Sequence, residues 1–166
     1  MEHDEDPGPL EMKLDHKIIK CAERNRVLMV ATITGPAPET DYELIPGHGL
    51  YKIHNGKMNW YKALKTCKRE DAHLVILNSE EELTKLKFLG KIEGDFYTSI
   101  NDLEKEGHFV TQFGDTLNST GFMKWIPGEP NNGFSGNCVR VLPTLGKIAD
   151  GDCNSNFAFI CEKPIS

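Results

Sequence analysis

No run of about 18 apolar residues occurs in the 166-residue sequence, so no segment reads as a bilayer-spanning helix. Basic residues are outnumbered: 19 Lys and Arg stand against 25 Asp and Glu, a formal net charge of -6. Without a basic stripe nothing holds a phosphate backbone by counterion release, which argues against nucleic acid as a partner. The sequence also lacks a nucleophile elbow, a phosphate-binding glycine loop, a zinc-protease helix and a paired-carboxylate motif in a confirming context. It therefore reads as a binding protein and not as an enzyme. The histidines (His3, His16, His48, His54, His73 and His108) show no metal-ligand spacing, and no Cys-x-x-Cys pair accompanies them, which disfavours a zinc site.

Cysteine is scarce but informative. Cys21, Cys67, Cys138, Cys153 and Cys161 fit two disulfides and one leftover thiol. Disulfides require an oxidising compartment, so the expected location is extracellular, in a secreted protein. The acidic opening MEHDEDPGPLEMK has no apolar core or small-residue cleavage site and does not read as a signal peptide. The cysteines outweigh it: the start is incomplete or alternative, or export follows a route the sequence does not display.

Residues 1–40 read as an N-terminal tail and linker, partly disordered or an incomplete leader. A short helix is expected over Met12 to Asn25, with Leu14, Ile18 and Cys21 at helical spacing. The apolar run VLMVATITG after it is either a strand or the remnant of a leader. A compact domain is expected over 41–164. It opens with a strand, turn and strand, Tyr42 to Ile45 and Leu50 to His54 around Pro46-Gly47-His48-Gly49. Trp60, Ala63, Leu64 and Cys67 then recur at i, i+3, i+4 and i+7, the buried face of a helix. A short strand, Leu74 to Leu77, precedes a capping box, with Ser79 accepting from the backbone of Glu82 and Glu82 reaching back. Beyond Gly94 the texture is strand and loop: Phe96 to Ile100, Phe109-Val110, Cys138 to Leu142 and Phe157 to Cys161 are β-type runs. Between them the Gly-, Asn-, Ser- and Pro-rich stretch from Phe113 to Ser135 is long enough to suggest either disorder or function.

The ordered set Trp60-x-x-Ala63-x-x-x-Cys67, Ala72-x-Leu74, Ser79-x-Glu81-Glu82, Lys124-Trp125-x-x-Gly128-Glu129-Pro130-Asn131-Asn132, Cys138-Val139 and Cys153 with Phe159-Ile160-Cys161-Glu162 resembles C-type-lectin-like domains. Asn101-Asp102-Leu103-x-x-Glu106-Gly107-x-Phe109-Val110 and Ser119-Thr120-Gly121-Phe122 make the pattern most similar to insect haemolymph lectins of the lipopolysaccharide-binding type. The resemblance implies an α+β domain of two helices and two small antiparallel sheets with a long loop region. It also implies disulfides Cys67–Cys161 and Cys138–Cys153. Cys21 remains over, either a tail cysteine or the bridge of a dimer.

Sugar-binding members hold one Ca²⁺ with a Glu-Pro-Asn tripeptide, a Glu shortly before the third framework cysteine and a Trp-Asn-Asp triplet. The proline is usually cis, and the tripeptide favours mannose-type sugars. By that resemblance Glu129, Asn131 and Asp150 are the metal and carbohydrate ligands. Gly136 stands where the family has its Glu, and Ile148-Ala149-Asp150 stands for Trp-Asn-Asp. A shell short of one carboxylate and one amide implies calcium binding that is weak, in the range of about 10⁻⁴–10⁻³ M, or absent. Asn137 is a candidate substitute for the missing Glu, and Asp152 a candidate to approach from the far side. The resemblance also implies that Trp125 lies in the core beneath the loop more readily than it serves as a sugar platform. Asn118-Ser119-Thr120 is an acceptor sequon for N-glycosylation.

Two functional expectations follow. One is a glycan- or lipopolysaccharide-binding module of innate immunity with weak or partial calcium dependence. The other is a protein-interaction or venom-type domain that keeps the scaffold and has lost calcium-dependent sugar binding.

Overall fold

The computed structural model describes residues 11–21, 24–34, 41–90 and 92–164, with side chains from Asp41 onward. It divides into two compact units, Met1–Thr40 and Asp41–Ser166. In the first, β1 (Glu11–Cys21) pairs antiparallel with β2 (Arg24–Thr34) in continuous register from Glu11↔Thr34 to Cys21↔Arg24. This corrects the helix expected over Met12 to Asn25. Met12, Leu14 and Ile18 also fit a period of two, and the β-branched run of β2 supplies a pairing partner that a helix reading ignores. The expected dimer through Cys21 concerns a side chain outside the described ones.

In the second unit, β3 (Glu43–Ile45) and β4 (Gly49–Met58) form a hairpin, followed by α1 (Trp60–Arg69), β5 (His73–Leu74), α2 (Glu80–Leu89) and β6 (Phe96–Asn101). A long irregular stretch then carries α3 (Leu117–Thr120) and a 3-10 turn (Gly133–Ser135), and β7 (Cys138–Leu142), β8 (Lys147–Ala149) and β9 (Phe157–Pro164) close the chain. The strands run in the order β3-β4-β9-β6-β7-β8, with β5 also on β9. The two small antiparallel sheets expected are thus one mixed sheet, because β6 and β9 pair in parallel through Phe96↔Ala158 and Tyr97↔Phe159.

Side chains of the central strands alternate between two clusters, as the period of a strand requires. Phe96, Ile100, Val139, Val141, Ala158 and Ile160 join the α2 and loop residues Leu83, Leu86, Leu117 and Phe122. Tyr97, Cys138, Phe159 and Cys161 join Trp60, Ala63 and Cys67 of α1. Helix α1 therefore covers one face, and α2 with the long loop covers the other. The i, i+3, i+7 set of α1 is buried as its spacing requires, and the Trp60 indole N–H donates to the Thr98 carbonyl at 2.8 Å. Cys67–Cys161 ties α1 to β9, and Cys138–Cys153 ties the start of β7 to the segment before β9. Bridges of this kind contribute about 2–4 kcal/mol each.

The capping box of α2 forms only in part. Ser79 accepts from the Glu82 N–H at 3.0 Å, but the Glu82 carboxylate turns elsewhere, accepting from the Asn78 N–H at 2.7 Å and the Tyr51 hydroxyl at 2.7 Å. The reason is burial: Glu82 is fully enclosed and Tyr51 offers the donor that a buried carboxylate needs. A second buried acid, Glu162 on β9, shares that hydroxyl at 3.4 Å and accepts from the Ile76 N–H at 3.0 Å. Burial and the neighbouring Glu82 carboxylate push Glu162 up to about 7, against the pull of the Ile76 N–H and the Tyr51 hydroxyl. Burial and the hydrogen bond to Glu82 push Tyr51 upward too, so it remains a donor at any ordinary pH.

Candidate functional site

The long loop returns to the sheet at Trp125, which bridges in parallel to Ile148 of β8; the Ile126 N–H donates to the Ile148 carbonyl at 2.9 Å and the Ile148 N–H to the Lys124 carbonyl at 2.8 Å. Just beyond this anchor the Glu129–Pro130 bond is cis. The Asn131 N–H lies 3.1 Å from Glu129 Oε2 and 3.3 Å from Asp150 Oδ1. The Asn132 N–H donates to Asp150 Oδ2 at 3.1 Å. Asp150 directly follows β8 and is only 2% exposed, so the strand fixes it and the loop wraps around it. Glu129, Asn131 and Asp150 are thereby brought to one place, with Asn131 exposed and Glu129 half-buried.

The electrostatics of this place are those of a site short of positive charge. The Asp150 carboxylate beside Glu129 holds its carboxyl above the usual range, and partial burial adds to that. Burial works to raise Asp150 as well, yet its carboxyl ends below the usual range, because hydrogen bonds from Glu129, Asn132 and Asn131 outweigh burial. Two further acids stand nearby. Asp102 is 2% exposed; its Oδ2 accepts from the Gly107 N–H at 2.8 Å, while its Oδ1 is buried with no donor among the described residues. Loss of solvent, then the charges of Asp102 and of Asp150, push Glu106 up. An enclosed Asp102 oxygen with no donor among the described residues, and a Glu129 carboxyl held up by the Asp150 carboxylate, suit a hard cation, to which Glu129, Asn131 and Asp150 offer oxygen donors.

Asn137 and Asp152 are not brought to this place. The Asn137 amide donates to the Phe134 carbonyl at 3.3 Å, and Asp152 Oδ1 accepts from the Asn154 N–H at 2.9 Å and from its side-chain amide at 3.0 Å. Both line a separate cleft with Tyr61 and Phe134. Asn132, which the sequence reading left without a role, is central: its side-chain amide donates to the Asp150 carbonyl at 3.2 Å. A Cβ at Gly136 would collide with the Asn132 side chain and lie 3.0 Å from Asp150 Oδ2. The space of the missing Glu is filled by Asn132. Its position directly after the tripeptide was the available signal. Asn118 is exposed on α3, and Trp125 is half-buried, its ring 5.0 Å from that of Phe109. Trp125 is therefore both core and cleft wall, since it also lines a cleft beside Pro130.

The disulfide-tied α+β domain thus sets Glu129 and Asn131 of a cis-proline loop beside Asp150 at the end of β8. The Lectin C-type domain family model matches residues 56–163. The hemolymph lipopolysaccharide-binding protein of Periplaneta americana is 33% identical over 169 residues, which are 92% of this chain and 66% of that protein. C-type lectin 37Db of Drosophila melanogaster is 34% identical over 125 residues, 73% of this chain and 81% of that one. Among solved structures, the cow C-type carbohydrate-recognition domain of CD23, crystallised in the presence of a GlcNAc2Man3 oligosaccharide, superposes with a TM-score of 0.66 at 27% identity, covering 78% of this chain and 97% of that one. The chain belongs to the C-type lectin domain family. It spans just under two thirds of the length of the cockroach relative. Members of the family typically bind calcium, and among the described residues no helix is long and apolar enough to cross a membrane.

Proposed function

We propose that the chain is a non-enzymatic, extracellular carbohydrate-recognition module of innate immunity. Its ligands on this reading are mannose-type or microbial surface glycans, the carbohydrate of lipopolysaccharide among them, taken at the loop of Glu129, Asn131 and Asp150. The observation that carries this is that the loop of Glu129 and the exposed Asn131 is held by its backbone to the Asp150 carboxylate, which directly follows β8. Carboxylate oxygens accept from vicinal sugar hydroxyls, and the Asn131 amide donates to them. Calcium held by these three side chains supplies the positive charge that the carboxylate pair lacks; with one carboxylate and one amide fewer than the family's shell, the affinity belongs to the weak end, about 10⁻⁴–10⁻³ M. The name of the cockroach relative supports a microbial ligand, and the disulfides support an extracellular setting.

A second reading, a protein-interaction domain without calcium-dependent sugar binding, is favoured by one observation. Asn132 fills the space at Gly136, and Phe134 beside it is 86% exposed. Chromatography on mannose-agarose separates the two. With millimolar Ca²⁺ the wild type is retained and eluted by a chelator, while Asn131→Ala passes through. Passage of the wild type both with and without Ca²⁺ would overturn the mannose reading and leave the second.

A further inference from the structure

We infer that Asn118 carries an N-linked glycan whose first sugars roof the cleft in which Asn118, Met123 and Trp125 meet. The inference rests on the extracellular reading above and is independent of the sugar-binding one. Asn118-Ser119-Thr120 is the only Asn-x-Ser/Thr acceptor in the sequence, and its middle residue is not proline.

The fold accommodates the modification. In α3, Leu117 and Thr120 are buried, while Asn118 and Ser119 between them are exposed. Among the described residues the Asn118 side chain has no hydrogen-bond partner, so its conversion breaks no contact. The helix is held at both ends. The Leu117 N–H donates to the Phe109 carbonyl at 2.9 Å, and Gly121, at a φ of 94°, lies so close to the Asn78 carbonyl that a Cβ there would collide with it. Asn118 is thus presented to solvent from a fixed platform. Thr120, the hydroxyl residue of the acceptor, is turned inward and donates to the Leu117 carbonyl at 2.9 Å. The acceptor is therefore used before α3 closes. In that step Asn118 Nδ2 forms a bond to C1 of the first N-acetylhexosamine and gives up one proton. The C1–O bond to the donor, a polyprenyl-diphosphate oligosaccharide, breaks, and the polyprenyl diphosphate leaves.

The attachment point is itself part of the cleft wall: Asn118 lines a cleft of about 370 Å³ with Met123, Trp125 and Pro130. Met123 is 50% exposed and Trp125 half-buried, so apolar surface stands open there for the C–H face of a pyranose ring. The covalent bond selects the sugar, and the polar lining has no selecting role. A tethered ring loses little further translational freedom when it settles, so contacts too weak to hold a free sugar suffice to keep it in place. A cleft covered in this way is closed to free ligands.

The test sends the full chain through the secretory pathway of eukaryotic cells behind a cleavable leader, and peptide mass spectrometry reads Asn118 and Met123. Asn118 is expected to carry a glycan that a peptide N-glycosidase removes. Its removal, or Asn118→Gln, is expected to speed oxidation of Met123 by dilute peroxide at least about threefold. Acrylamide quenching of tryptophan fluorescence is expected to rise in parallel, a change that reports Trp125 because Trp60 is 4% exposed. If Asn118→Gln is poorly secreted, the enzymatically trimmed wild type supplies the same comparison. A secreted protein with both disulfides formed and Asn118 unmodified overturns the inference and leaves the extracellular reading standing. A glycan whose removal changes neither Met123 oxidation nor tryptophan quenching overturns it as well. A chain retained in the cell with its cysteines reduced would sink the extracellular reading and the inference with it.

Discussion

Asp150→Ala is expected to abolish retention on mannose-agarose and to lower the unfolding free energy by about 1–3 kcal/mol, the worth of hydrogen bonds to a charged acceptor. Asp150 does two jobs through the same oxygens. It accepts from the N–H groups of Asn131 and Asn132, which shapes the loop, and it supplies a carboxylate beside Glu129. Truncation takes the acceptor from the Asn132 N–H, leaves the Asn131 N–H with Glu129 alone, and removes half of the carboxylate pair. Asp150→Asn separates the roles: it keeps one acceptor oxygen and the side-chain volume but loses the charge. The Asn variant should therefore melt within a few degrees of wild type yet still pass through the column. An Asp150→Asn protein retained like wild type would show that the charge at this position is dispensable.

Glu162→Gln is expected to stabilise the protein at pH 8 by up to about 3 kcal/mol and to leave it nearly unchanged at pH 4. The sign follows from the direction of the shift. The Glu162 carboxyl is raised from 4.5 to about 7 in the folded state, so the folded chain binds this proton more tightly than the unfolded chain does. Stability contributed by the proton is full below about 4.5, declines as pH rises toward about 7, and is gone above it. A glutamine is neutral throughout and escapes that loss. Its amide oxygen can still accept from the Ile76 N–H, and its amide N–H₂ can donate to the Tyr51 oxygen, whose own hydroxyl donates to Glu82. His73 lies 3.8 Å from Glu162, but burial pushes it below its ordinary range, so it gives the carboxylate little compensating charge at pH 8. Thermal melts of both proteins from pH 4 to 8 check this. A difference in melting temperature that is constant across the range would show that Glu162 does not titrate in that window.

The parts of this molecule governed by local pattern were readable from the chain. Trp60, Ala63, Leu64 and Cys67 mark the buried face of α1 by spacing alone, and Ser79 marks the start of α2. The tripeptide and Asp150 were readable through family resemblance, and the fold brings them together. What sequence could not carry is non-local. The parallel join of β6 to β9 depends on strands far apart in the chain, and the partner that diverts Glu82 from its capping role is Tyr51, 31 residues away. Strand β8 is three residues long, and two of them, Ile148 and Ala149, read as part of a degraded ligand triplet until Trp125 bridges to the strand. The N-terminal segment shows the converse hazard, since Met12, Leu14 and Ile18 satisfy two periods and only pairing with Arg24–Thr34 selects between them.

On the reading proposed above, Glu129, Asn131 and Asp150 act together as a weak cation-assisted sugar site. Calorimetric titration of Ca²⁺ into the wild type and into Asp150→Asn tests it most directly. A weak wild-type isotherm with a dissociation constant of about 10⁻⁴–10⁻³ M, absent from the variant, is the expected result. Superimposable isotherms, or no heat of binding in the wild type at millimolar Ca²⁺, would contradict it.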